Sequence, residues 1–366
     1  MTSRNDGPDR RKVLGAAGSV LLSPAAALAQ TPDGAVLKGD RAAIEAAWKD
    51  AQSGRIARLG RSDALVILQG GACVFEAYGR ECGPTVRHVS WSMAKSFTHA
   101  LVGVAVRQGR VDIDQPLSLM DRPHPGLTLR HLLNLTDGLD WREGAYSPVD
   151  SDASRMLFGP GRLNTAAYLA ARRQKYPPGQ VFNYSTGAFQ MAAAELQARL
   201  FPDARSPEAR RRAMATWMQE ALFGPLGLRT ALAEFDPHGV FYGGSLIYAS
   251  PQDYLTFGEF YRQDGVWRGA RILPIGWTEF ARTPTASPVY GAGFWLESKI
   301  TNRPTPALFA GRGPLDAYSA QGHNGQVVVI LPAARAVIVR LGVMGDAPEN
   351  WRALGDWLTP IANSLA

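Results

Sequence analysis

Two short apolar runs near the start of the chain, residues 64–68 (Ala-Leu-Val-Ile-Leu) and 73–78 (Cys-Val-Phe-Glu-Ala-Tyr), flank Gln69-Gly70-Gly71. Runs of that length, rich in β-branched and aromatic residues and joined by glycines, predict a β-hairpin. Ahead of it, Ala42, Ile44, Ala46, Ala47 and Trp48 recur at helical spacing behind Asp40, a residue type that caps helix N-termini. Strand-like runs return only late, at 291–297, 326–331 and 336–341, the last two joined by the turn-prone Pro332-Ala-Ala-Arg335. The closing stretch, 351–365, fits an amphipathic helix. The long middle, from about residue 94 to 232, carries helical patterns such as 166–172 and 213–222.

Strands at both ends around a helical middle predict an α+β fold. One antiparallel sheet would be assembled from distant segments and flanked by N- and C-terminal helices, with a mostly helical lobe beside it and a site in the cleft between the two. The expected division gives residues 30–93 and 236–366 to the α/β lobe and 94–235 to the helical lobe. The chain has no internal repeat.

Composition adds limits rather than content. With 366 residues, 46% hydrophobic and 19% charged, the chain is neither disordered nor fibrous. Its formal charge is +7, but no dense Lys/Arg run with interleaved aromatics exists, which argues against nucleic-acid binding. Arg10-Arg11 precedes a modest apolar run, 13–28, ending in Ala27-Leu28-Ala29 before Gln30. That pattern is expected of a cleaved signal peptide over residues 1–29, of the twin-arginine type, and hence of a periplasmic or secreted protein. No later segment has spanning length, so no stable membrane insertion is expected once the signal is removed. Cys73 and Cys82 flank the second predicted strand, too far apart in extended chain for a disulfide, and are expected to be unpaired.

Three stretches carry candidate chemistry. In the first, Ser92-Met-Ala-Lys95, the serine stands where an extended approach becomes a strongly apolar helix, and Lys95 follows one turn along on the same face. The chain holds only six lysines, and this one lies inside an apolar run. Burial lowers an ammonium pKa, as a lysine base requires, and a helix start offers backbone N–H groups to a developing oxyanion. In the second, Pro177-Pro178-Gly179 forces a turn and delivers Phe182-Asn183-Tyr184 just before a helix at 188–200, where the phenol can enter a cleft and relay protons. In the third, Gly322-His323-Asn324-Gly325-Gln326 opens the 326–331 strand, with glycines that permit close backbone approach to a ligand and a histidine fit for acid, base or carboxylate-steering work.

The order Ser-x-x-Lys, then Tyr-x-x, then His-x-Gly resembles the three-motif pattern of the penicillin-recognising serine hydrolases: class C β-lactamases, DD-peptidases and related esterases and amidases. The stretch from His131 to Glu143, Ser151 to Leu157, the Pro-Pro-Gly before Tyr184, and Gly244 to Tyr254 resemble most the branch called 6-aminohexanoate-dimer hydrolase-like. The likeness spans about residues 60–345 and implies the β-lactamase/DD-peptidase-like fold. It further implies Ser92 as acylated nucleophile, Lys95 as its base, Tyr184 as the relay to the leaving group, and the backbone N–H groups of Ser92 and Gln326 as the oxyanion hole. His323, Asn324, Gly325 and Thr186 would bind substrate, and no metal or organic cofactor would be used.

Two departures bear on substrate. The tyrosine motif commonly ends in Asn, but here it ends in Thr186, which has no amide carbonyl. In class C β-lactamases the third motif is Lys-Thr-Gly, whose two side chains hold the drug carboxylate, whereas here they are His323 and Asn324. The leading expectation is a serine hydrolase of a small-molecule carboxylic ester, amide or peptide. The alternatives are a β-lactamase or DD-peptidase acting on peptidoglycan-like substrates, and, in another class, a non-catalytic penicillin-binding-like sensor.

Overall fold

The computed structural model describes residues 39–119, 124–144, 150–298 and 307–366. The proposed signal lies outside these residues. The first described element is helix α1 (Arg41–Gln52), whose N-cap Asp40 accepts from the Ala43 amide at 3.1 Å, as its sequence predicts. Strands β1 (Arg61–Gln69) and β2 (Ala72–Tyr78) follow as the expected hairpin, with Gly70 and Gly71 at φ 60° and 87° in its turn. Four more strands complete the main sheet: β3 (Trp295–Leu296), β4 (Tyr318–Gly322), β5 (Gln326–Leu331) and β6 (Ala336–Val343). Their spatial order is β2-β1-β6-β5-β4-β3, antiparallel throughout.

Both faces of this sheet are buried, which is why its central strands read as unbroken apolar runs rather than alternating ones. Along β1, Leu65 and Ile67 face one core, shared with Ile44 of α1 and with Leu354, Leu358 and Ile361 of the C-terminal helix α5 (Pro348–Leu365). Ala64, Val66 and Leu68 face the other, against helices α2 (Ala94–Arg107) and α4 (Pro251–Arg262). Helix α3 (Thr186–Leu200), capped by the Ser185 hydroxyl, is buried along most of its length and packs against α2.

The differences from expectation fall where tertiary pairing decides. The 291–297 run shortens to the two residues of β3, and β4 was not predicted. Tyr-Ser-Ala-Gln-Gly has weak strand character and is held by ladders on either side. Cys73 and Cys82 are free thiols.

Candidate active site

Ser92 lies in a single helical turn, Trp91–Met93, that runs directly into α2. The approach is fixed by Ser90, whose amide donates to Ile247 C=O at 2.7 Å and whose hydroxyl accepts from the Ile247 amide at 3.1 Å. Trp91, the residue before the serine, has φ 45°, a left-handed conformation that is strained for a bulky side chain and persists only where surroundings enforce it. Its indole is wedged edge-on between Phe158 and His323.

Lys95 is buried to 1% exposure, with Nζ 2.9 Å from Ser92 Oγ, 2.9 Å from Thr186 Oγ1 and 3.0 Å from Gly244 C=O. Burial pushes its ammonium down to about 8, while the Glu143 carboxylate pulls the other way. Tyr184 stacks on Trp295 at 5.2 Å and meets Tyr290 edge-on at 5.9 Å, and Lys95 Nζ lies 4.9 Å from its ring centre. Ser92, Lys95, Tyr184 and Thr186 therefore come together from two helices and a loop far apart in the chain, but Thr186, expected to bind substrate, is fully buried outside the cleft lining and meets Lys95 and Glu143 instead.

Ser92 and Tyr184 open onto a cleft of about 350 Å³. Trp295, Leu308 and Trp351 give it apolar lining, and Arg312, Arg352 and Asp346 add charged groups. Gln321, Gly322 and His323, at the end of β4, also line it. A Cβ on Gly322 would lie 2.2 Å from Ser90 C=O, so only glycine lets β4 run this close to the serine turn.

The third motif is arranged differently from expectation. His323 lines the cleft and pairs through Nδ1 with Asp346, whose other oxygen accepts from the Asn324 amide at 3.1 Å. Asn324, Gly325 and Gln326 do not line the cleft. Asn324 turns the chain at φ 64°, and Gln326 sits opposite Gly322 in the β4–β5 ladder. The Gln326 side chain is spent on Gly342, accepting from its amide at 3.0 Å and donating to its carbonyl at 2.5 Å. The ladder sets the reason. Glu297 N–H donates to Ala317 C=O at 3.1 Å, so the odd-numbered residues of β4 turn their backbone groups away from β5. By that alternation Gln321, and not Gln326, turns its amide away from β5 beyond the end of β3.

Sequence reasoning also missed Glu143. Its carboxylate meets the first residue of α3, just after the tyrosine. Oε2 accepts from the Trp141 indole at 2.7 Å and from the Thr186 amide at 2.8 Å, and Oε1 accepts from the Thr186 hydroxyl. No sequence signal connects residues 43 positions apart.

The sequence model of the family described as Beta-lactamase matches residues 54–343. The chain belongs to the beta-lactamase family. Among curated proteins, a 6-aminohexanoate-dimer hydrolase of Paenarthrobacter ureafaciens is 22% identical over 308 residues, 80% of this chain and 76% of that one. Among solved structures, a Bacillus anthracis protein provisionally named a 6-aminohexanoate-dimer hydrolase superposes with a TM-score of 0.68 at 20% identity, covering 88% of this chain and 82% of that one. A D-stereospecific amidohydrolase from a Streptomyces species gives 0.57 at 17% identity, with 84% and 98% covered. This beta-lactamase family member is a serine hydrolase with the β-lactamase/DD-peptidase-like fold, related to amidohydrolases and esterases.

Proposed function

We propose that the protein cleaves a carboxylic ester or amide through an acyl-enzyme on Ser92. The observation that carries this reading is the buried Lys95 amine 2.9 Å from the Oγ of Ser92, which lines an open cleft. Neutral Lys95 takes the Ser92 proton as Oγ attacks the substrate carbonyl carbon. The resulting oxyanion would be held by the backbone N–H of Ser92 and by an amide near the end of β4, for which Gln321 is placed and Gln326, paired with Gly322, is not. Tyr184, beside Lys95 and facing the cleft, would pass the proton to the departing alcohol or amine, and water then hydrolyses the ester on Ser92.

The substrate expectation follows from the cleft wall. Among the described residues no lysine lines it and Asn324 lies outside its lining, so the Lys-Thr grip on a β-lactam carboxylate is missing there. Charge-assisted hydrogen bonds contribute about 1.5–3 kcal/mol each, so losing two gives a discrimination of roughly 10²-fold or more. On purified protein, a short-chain nitrophenyl ester should show kcat/KM at least that much above a chromogenic cephalosporin, with a linear amide measured alongside. Ser92→Ala should abolish every activity that belongs to this site. A cephalosporin turned over faster than any ester or linear amide would replace this reading with a β-lactamase one.

We also propose export. Intact-mass measurement on protein recovered from its native host should give a chain starting at Gln30. A chain that retains Met1 would overturn cleavage after Ala29.

A further inference from the structure

Lys95 meets three acceptor atoms, and what each of them can do with a proton is not symmetrical. Gly244 C=O accepts only. The Thr186 hydroxyl can donate or accept, but it lies against Glu143 Oε1, and a carboxylate has no hydrogen to give. The Thr186 hydrogen is therefore committed to Glu143, and Thr186 Oγ1 receives from Lys95. Two N–H bonds of Lys95 are then spoken for, on Gly244 and Thr186. The ammonium form directs its third N–H to Ser92 Oγ. The neutral amine, which has two N–H groups, is left with its lone pair aimed at Ser92.

We propose that Glu143 is a positioning residue of the hydrolase: by fixing the direction of the Thr186 hydroxyl, it leaves the neutral Lys95 lone pair to Ser92 alone. This rests on the reading of Ser92 and Lys95 as nucleophile and base. It also accounts for a threonine where related motifs carry asparagine. An amide oxygen accepts from lysine without assistance, whereas a hydroxyl does so dependably only when its own hydrogen is taken elsewhere. The Tyr184 ring centre lies 4.9 Å from Nζ, buried Tyr290 packs edge-on against Tyr184, and His323 is paired with Asp346.

Glu143→Gln tests this sharply because the shape is kept. The Trp141 indole and the Thr186 amide both donate to Oε2, so the glutamine oxygen must stay there and its NH₂ must take the Oε1 position. The NH₂ then donates to Thr186 Oγ1, and the Thr186 hydrogen turns toward Lys95 and occupies the lone pair.

The expected result is a kcat lowered by roughly 10²-fold, the scale of lost general-base catalysis, with KM within about 2-fold and an unchanged melting temperature. Because Glu143 raises the Lys95 pKa, its removal should also move the acid limb of the kcat/KM profile to lower pH. Thr186→Val deletes the intruding hydrogen, so Glu143→Gln/Thr186→Val should be no worse than Glu143→Gln alone. Wild-type kcat in Glu143→Gln, an acid limb that stays in place, or losses that multiply in the double variant would each overturn the proposal. Should Glu143→Gln fail to fold, Thr186→Val decides alone: reduced kcat at unchanged KM supports it, and wild-type kcat overturns it. Ser92→Ala, run in parallel, separates the two levels. Activity lost there but retained in Glu143→Gln removes only the Glu143 role, whereas activity surviving in Ser92→Ala removes the nucleophile assignment itself.

Discussion

Lys95→Ala should lower kcat by about 10³–10⁴-fold, or about 4–5.5 kcal/mol of transition-state stabilisation, without unfolding the protein. Lys95 is the only lysine in contact with Ser92 among the described residues, and without it Oγ keeps its proton as attack begins. The methylenes removed pack in a buried site, so some stability will be lost as well. A circular dichroism spectrum and a melting temperature must accompany the kinetics. Lys95→Arg should rescue little, because a guanidinium stays protonated and supplies no lone pair. In the wild type, kcat/KM should rise with pH through about 8, as the ammonium held down by burial loses its proton and becomes a base. Near-normal turnover in either variant, or a rate that falls across that pH range, would refute the assignment of Lys95.

Arg340→Met should destabilise the fold by about 3 kcal/mol, read as a lower denaturation midpoint at an unchanged m-value. Arg340 lies on β6 with no solvent exposure. Its guanidinium donates to Leu59 C=O at 2.7 Å, Gly325 C=O at 2.9 Å, Ser62 Oγ at 3.2 Å, and the carbonyls of Asn324 and Arg61 at 3.3 Å. Two effects oppose each other. Burial of this cation is costly enough to push its pKa down to about 10, with Asp63 pulling it back up, so methionine relieves a desolvation penalty. Against that, carbonyls of two turns lose their donor at about 1–3 kcal/mol each, which is the larger sum. One of those turns is 323–325, so the same variant should also lower activity by loosening His323. A variant as stable as wild type would mean that the desolvation cost had equalled the bonds.

What was legible in the sequence was local. The β1–β2 hairpin follows from a glycine turn between two apolar runs, α1 from its Asp40 cap, and Ser92 and Lys95 share a helix face because they are three residues apart. Tyr184 was found because a Pro-Pro-Gly turn delivers it to a helix start. The failures share one cause. Whether an amide in the third motif faces the serine depends on which side of β4 pairs with β5, and the tight turn at Asn324 sends Gln326 back into that ladder. The strand β4 has too little β propensity to announce itself and exists because β3 and β5 satisfy its edges. Glu143 acquires its position only when the loop that carries it meets the first turn of α3. The amino-acid sequence by itself determined the hairpin, the terminal helices and the juxtaposition of Ser92 with Lys95, because those rest on local pattern and on spacing along one helix. Only the tertiary structure decided which backbone amides face the cleft and which carboxylate sets the direction of the proton network. Both depend on the register and approach of segments that the chain brings together from far apart.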